Sequence, residues 1–304
     1  ELDEKFDHTN PKHVEALGNQ LSKATDIGVG AHQDDIEIMA GPMILDAVKT
    51  DGKEWLNIIV TDGAASKSIL NESASELTPQ ELTDMRQLEQ RQAAKDTGTA
   101  VIQLKYPSAA INGFMGENKR QESAYALGTL FSAMPNAETV YGHNPIDKHP
   151  SHLGVLATQT AALRAAEKDC DVYAMEVWGG LAGVPESELS MFVVENKEDL
   201  DKIGALVRRF ESQILGQGRD YATTTTARLQ AHGGYVSNPH LNNPPEGMVI
   251  GLDITEFTKG DSKDMGALAG EIIDKVKQVK TMLAERSPIP DTPNLKGGYL
   301  QNIL

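Results

Sequence analysis

The stretch Ile27-Gly28-Val29-Gly30-Ala31-His32-Gln33-Asp34-Asp35-Ile36-Glu37 opens as an apolar, glycine-spaced run and closes on polar side chains. Residues 27–31 read as a buried strand, and the pattern from 36 to 50 reads as a helix. Working outward, apolar runs at 56–60, 101–104, 139–141, 172–177 and 248–252 read as further strands. Helical patterns lie between them at 78–97, 119–132, 152–168, 197–215 and 264–285. Such alternation implies parallel pairing through crossover helices. The expected fold is a Rossmann-like, doubly wound α/β sheet, mostly parallel, with helices on both faces. Its ligands would sit beyond the C-terminal ends of the strands.

Thr78-Pro79-Gln80-Glu81 has the form of a capping box with Pro at the first helical position. In that helix Leu88 and Ala94 are expected opposite a polar face carrying Arg86, Glu89 and Lys95. Asn196 before Lys197-Glu198-Asp199 marks another helix start. Residues 216–247 carry Gly216, Gly218, the run Thr223 to Thr226, Gly233-Gly234 and Pro244-Pro245. They read as irregular structure, a lid or pocket wall. The tail from Ser287 reads as extended. The whole chain, 1–304, is expected to form a single domain with its core at about 25–215 and a long irregular C-terminal segment.

The chain has 304 residues, and a domain of this size buries roughly 75% of its unfolded surface, so a core needs no disulfides. Lys plus Arg number 28 against 44 for Asp plus Glu, a formal net charge of −16. That balance argues against nucleic-acid and anionic-lipid partners, which meet basic faces. No apolar run approaches the roughly 20 residues of a membrane span. A cytoplasmic location is expected, although the chain opens on Glu1 rather than Met and this leaves export open. Cys170, the only cysteine, reads as a small buried hydrophobe, and no Cys-rich metal site is available. His8, His13, His232 and His240 have no motif around them and are expected at the surface. Gly28-Val29-Gly30 leads into Ala31-His32-Gln33 without a phosphate-cradling glycine turn, against a dinucleotide enzyme.

Two pieces carry chemistry. At the end of the first strand, His32 and Asp35 offer ordinary zinc ligands, with Asp34 placed to act as a general base. The alternative is a polar helix start in which the aspartates cap free N–H groups. The second piece is His149-Pro150-Ser151-His152, where Ser151 is a candidate cap and His152 would begin a helix. His152 can complete a triad with His32 and Asp35, and three protein ligands with one open position suit a catalytic zinc. The same ligands would accept Fe(II) or Co(II). The alternative here is a solvated loop with two histidines.

Together these pieces resemble the zinc-dependent N-deacetylases of the PIG-L/LmbE-like family. Ala31-His32-Gln33-Asp34-Asp35 is similar to its first signature, Ala-His-Pro-Asp-Asp, and His149-Pro150-Ser151-His152 to its second, His-Pro-Asp-His. Val60-Thr61-Asp62-Gly63-Ala64 resembles its Thr-Asp-Gly turn, Arg86-Gln87-Leu88-Glu89 its Arg-x-x-Glu pattern, and Phe210-Glu211-Ser212-Gln213 its Ser-Gln segment. The resemblance covers about 25–215. Gln33 stands where Pro is usual, and Ser151 where the family has an Asp that orients the neighbouring imidazole; Asp147 is a candidate replacement.

The resemblance implies removal of an acetyl group from an N-acetylated amino sugar. Asp34 would shuttle the proton, with His149 stabilising the developing oxygen charge. Arg86 is then a substrate-holding candidate, against a surface pair with Glu89. Asp62 would line the pocket or only close its turn. Arg228 is a further pocket candidate. Trp178 could stack on a sugar face, whereas core packing is the expectation for it and for Trp55. The expected partner is a small amino-sugar molecule, with homo-oligomerisation left open. A different acyl amide as substrate, and a sugar- or metal-binding member without turnover, are the competing readings.

Overall fold

A computed structural model describes residues 9–65, 77–112, 117–214, 220–235, 245–260 and 265–286. Seven strands form one sheet in the order β3-β2-β1-β4-β5-β7-β6. They are β1 (Asp26–Gly30), β2 (Trp55–Thr61), β3 (Ala100–Tyr106), β4 (Thr139–His143), β5 (Asp171–Met175), β6 (Ser190–Val194) and β7 (Gly247–Asp253). The pairs joining β3, β2, β1, β4 and β5 are all parallel, while β7 runs antiparallel to both β5 and β6. Strand order therefore reverses between β1 and β4, the switch point where an open α/β sheet leaves a crevice beyond its strand ends.

The longer helices are α1 (Pro11–Lys23), α2 (Asp35–Lys49), α3 (Pro79–Thr97), α4 (Glu117–Ser132), α5 (Pro150–Ala165), α6 (Lys197–Val207), α7 (Tyr221–Tyr235) and α8 (Met265–Arg286). Alternate strand residues feed two cores. Ile27, Val29, Leu56 and Ile58 pack with α1, α4, α5 and α8 on one face. Trp55 and Ile59 pack with α2, α6 and α7 on the other. Helix α2 is apolar nearly all round, and burying side chains such as Met39 and Ile44 contributes roughly 1.5–3 kcal/mol each. Gly28 lets α2 lie close on β1: a Cβ there would meet Ile36 Cγ2 at 2.6 Å. Among the described residues no helix is long and apolar enough to cross a membrane.

Several expectations need correcting. The stretch read as irregular holds α7, whose Ala222, Thr225, Leu229 and Gly233 form a buried stripe at helical spacing. Its threonines adapt to a helix because Thr226 returns its hydroxyl to the Ala222 carbonyl at 3.1 Å. The helix expected over 197–215 ends at Val207 and resumes only as the short turn Glu211–Ile214. The sequence reading also missed α1 and the edge strand β6. In α3 the capping box forms as expected, but Leu88 is 60% exposed while Arg86 is 1% exposed. The helix turns a polar face inward because polar partners await it: Gln90 donates to Glu37 at 2.7 Å and Gln103 donates to the Gln87 carbonyl at 3.1 Å. The tail expected to be extended lies outside the described residues.

Candidate metal centre

Two strand-to-helix junctions meet at the switch point. The first leads from β1 into α2. Asp34 occupies the N-cap position with φ 101° and ψ −29°, yet its side chain makes no capping hydrogen bond. The capping alternative for Asp34 thus fails, and its buried Oδ2 has no hydrogen-bond partner. Burial, then the charge of neighbouring Asp35, push the Asp34 carboxyl well above the ordinary carboxylate range, against the pull of Arg86. Asp35 turns the other way: its Oδ2 accepts the His32 main-chain N–H at 2.7 Å and lies 3.2 Å from His32 Nδ1. Burial raises its pKa, but His152 and His32 outweigh that and hold it well below the usual range.

The second junction leads from β4 into α5. His149 is the N-cap, and its ring Nδ1 accepts the Ser151 main-chain N–H at 3.3 Å. The main-chain N–H of His149 in turn donates to Asp147 Oδ1 at 2.8 Å. His152 begins the helix with its ring inward, Nδ1 being 3.0 Å from Asp147 Oδ2 and Nε2 being 3.3 Å from Asp35 Oδ1. Asp147 thus partners the ring of His152, not that of His149.

Among the described residues, two sets of three side chains have ligating atoms within 4.8 Å of one another: His32, His149 and His152, and Asp35, His143 and His152. Sequence reasoning missed His143, which sits at the end of β4 as His32 follows the end of β1; that parallel was the available signal. Hydrogen bonds discriminate among these atoms. His143 Nε2 accepts the Ala31 N–H at 2.9 Å, so a neutral His143 carries its proton on Nδ1 and has no lone pair left to offer a cation. Burial, and then His152, push its pKa well down and keep it neutral. His152 is the reverse case. Asp147 can only accept, so Nδ1 of His152 bears a hydrogen and its buried Nε2 presents a lone pair to Asp35 Oδ1. Two acceptors facing each other out of water need a cation between them. Without a metal the cation is a proton: although burial opposes it, Asp35 and Asp147 raise His152 to about 10. Asp35 Oδ2 lies 3.2 Å from His32 Nδ1 and Asp35 Oδ1 lies 3.3 Å from His152 Nε2, nitrogen and oxygen donors of the kind a divalent ion takes, while the two compact sets each hold His152 and divide His32 from Asp35.

Around this centre, Arg86 is buried beside Asp34, donates to the Gly63 carbonyl, and has its pKa lowered by burial against the charge of Asp34. It is therefore no surface partner of Glu89. Glu89 accepts the Ser212 N–H at 2.8 Å and its hydroxyl at 2.6 Å, which docks the Ser-Gln segment. Asp62 closes its turn by accepting the Ala64 N–H at 3.0 Å, and stands half-buried near His32 and Arg86. Arg228 directs its guanidinium to the main-chain carbonyls of Val177 and Ile38. His232, expected at the surface, is half-buried with Nε2 3.4 Å from Glu176 Oε2. Trp55 is buried, and half-buried Trp178 lies edge-on to Tyr221 at 4.9 Å.

A cation-accepting group at the switch point of a Rossmann-like sheet defines the class: an α/β protein with a candidate metal centre. Residues 27–166 match the model of the family described as PIG-L, GlcNAc-PI de-N-acetylase. A deacetylase of the teicoplanin biosynthetic pathway, solved as a triple mutant, is similar with a TM-score of 0.56 at 19% identity, covering 76% of this chain and 98% of that one. The N,N'-diacetylchitobiose deacetylase of Pyrococcus horikoshii has a TM-score of 0.53 at 15% identity, covering 81% and 94%. The 4-carboxy-2-hydroxymuconate hydratase of Pseudomonas putida has a TM-score of 0.54 at 19% identity, covering 76% and 95%. At these identities the likeness is one of fold. No curated protein matches the chain.

Proposed function

We propose that this protein is a metal-dependent N-deacetylase that hydrolyses the acetamide of an N-acetylated amino sugar or its conjugate, with zinc as the working cation and the whole chain acting as one domain. The observation that carries the reading is the pair of facing acceptors, Asp35 Oδ1 and His152 Nε2 at 3.3 Å, beside a buried carboxylate, Asp34, with an unpartnered oxygen. The PIG-L match and the two deacetylases of the same fold support it. His32, Asp35 and His152 would hold the ion, which supplies a Lewis acid for the carbonyl and acidifies water. Asp34, its pKa raised by burial, takes the proton of the attacking water and returns it to the leaving nitrogen. His149 donates to the oxygen on which charge develops. Arg86, buried beside Asp34, pulls its raised pKa back down, Asp62 edges the opening, and Arg228 secures the wall formed by α7. The products are an amine and acetate.

The test offers the purified protein, loaded with zinc, Co(II) or Fe(II), a panel of N-acetylglucosamine compounds and non-sugar acetamides, with amine release as the readout. Release from the sugars that stops with chelator and in Asp34→Ala supports the reading. Release from non-sugar amides alone overturns its substrate class, and metal binding without any amine release overturns the reaction. Because the same fold carries a hydratase in Pseudomonas putida, amine rather than loss of substrate must be measured. His152→Ala is expected to lose bound metal and Asp34→Ala to keep it.

A further inference from the structure

Helix α2 carries Asp35 in its first turn and a proline, Pro42, in its interior. Proline has no N–H, so it cannot donate to the carbonyl four residues before it. In α2 that carbonyl belongs to Ile38, a residue only 2% exposed. A buried carbonyl without a donor is costly. The N–H of the same residue closes the first turn by donating to the Asp34 carbonyl at 3.0 Å. Ile38 is therefore tied to the turn that bears Asp34 and Asp35, while its own carbonyl has no i+4 donor within the helix.

The donor comes from a distant segment. Arg228, on α7, gives Nη2 to the Ile38 carbonyl at 3.2 Å and Nη1 to the carbonyl of Val177, two residues past β5. One planar fork thus joins the start of α2 to the end of β5. Burial lowers the Arg228 pKa, while Glu176 and then Asp147 favour its charged form. Asp147 is the carboxylate whose Oδ2 stands 3.0 Å from Nδ1 of His152. Arg228 meets both halves of the candidate centre, one by a hydrogen bond and the other by charge. We propose that Arg228 is a positioning residue for the metal centre: it supplies to Ile38 the hydrogen bond that Pro42 withholds, and so fixes the turn of α2 that presents Asp35 to the ion. This rests on the proposed metal binding, not on the reaction.

The test is a rescue. Pro42→Ala returns an N–H to the helix, so the Ile38 carbonyl no longer depends on Arg228. In the full-length protein, Arg228→Met should weaken zinc binding by about tenfold in chelator competition, the lower end of the loss when a group behind a ligand is removed. Pro42→Ala alone should leave affinity unchanged, and combined with Arg228→Met it should recover most of the loss. Amide hydrogen exchange of the metal-free protein gives the second readout. Arg228→Met should speed exchange at Ile38 by about tenfold, as expected for one hydrogen bond to a charged donor, while amides of β2 keep their rates. Adding Pro42→Ala should slow Ile38 again. Should Arg228→Met fail to fold, Arg228→Lys, a single point donor for two carbonyls, should show a smaller loss with the same rescue. Unchanged zinc affinity in the Arg228 variant, a loss that Pro42→Ala does not mend, or faster exchange spread evenly over α2 and β2 overturns the proposal. Absence of zinc binding by the wild-type protein refutes the metal centre, and the exchange pattern then decides whether Arg228 holds the turn. Zinc bound as expected without amine release refutes the deacetylase reading alone.

Discussion

The junctions at the ends of β1 and β4 pose the same problem and answer it differently. Each helix starts with N–H groups that lack intrahelical partners, and the N-cap side chain is the usual remedy. At α5 the cap is His149, with relaxed φ −92°, and one ring nitrogen serves the helix while the other stays available. At α2 the cap is Asp34, with φ 101°, and its carboxylate serves the helix not at all. A non-glycine residue held in such a region costs roughly 1–3 kcal/mol. The contrast teaches that a reactive side chain at a helix start is obtained either by dividing its polar atoms between two tasks or by straining the backbone that bears it.

The sharpest way to break this comparison is Asp34→Asn, which keeps shape and removes basicity. Amine release should fall by about 10²–10⁴ while bound metal, measured by atomic absorption, is retained. Loss of the metal instead would make Asp34 a ligand. Asp147→Asn probes the other junction, since it weakens the carboxylate behind His152. Metal affinity should drop about 10–100-fold in competition with a chromophoric chelator.

Acidity offers a third probe. His152 sits at about 10 without metal, so below that pH it holds a proton that the ion must displace. Metal affinity should therefore rise by about tenfold per pH unit near neutrality, with close to one proton released per ion in calorimetry across buffers. Flat affinity would place the ion away from His152. The smallest effects have opposite signs. Asp34→Gly should raise stability by about 1 kcal/mol in urea unfolding by relieving φ, while His149→Ala should lower it by about 1 kcal/mol through loss of the cap.

What could be read in advance depended on whether a residue's role is written near it in sequence. His32, Asp34 and Asp35 follow an apolar strand directly, and His149 and His152 bracket a Pro-Ser pair, so the spacing announced them. His143 has no such company: its position comes from β4 lying beside β1, a pairing of distant segments. Helix α3 misled because the rule that apolar residues face inward fails where a helix covers a polar crevice, and there Arg86, Gln87 and Gln90 are buried alongside Leu82, Ala93 and Ala94. Helix α7 was obscured by threonines and a Gly pair that a tertiary stripe overrides. The PIG-L match fits this pattern, ending at 166, before β5, β6, β7 and α7.

The clasp that Arg228 makes between the carbonyls of Val177 and Ile38 has a practical corollary. A fragment trimmed to residues 27–166 would contain every group suggested to hold the ion, yet lack β5, one of the two strands that pair with β4. Its severed sheet would present an unpaired flank, inviting other copies to add strands there. Excising the chemically recognisable half would yield a sticky remnant rather than a minimal enzyme.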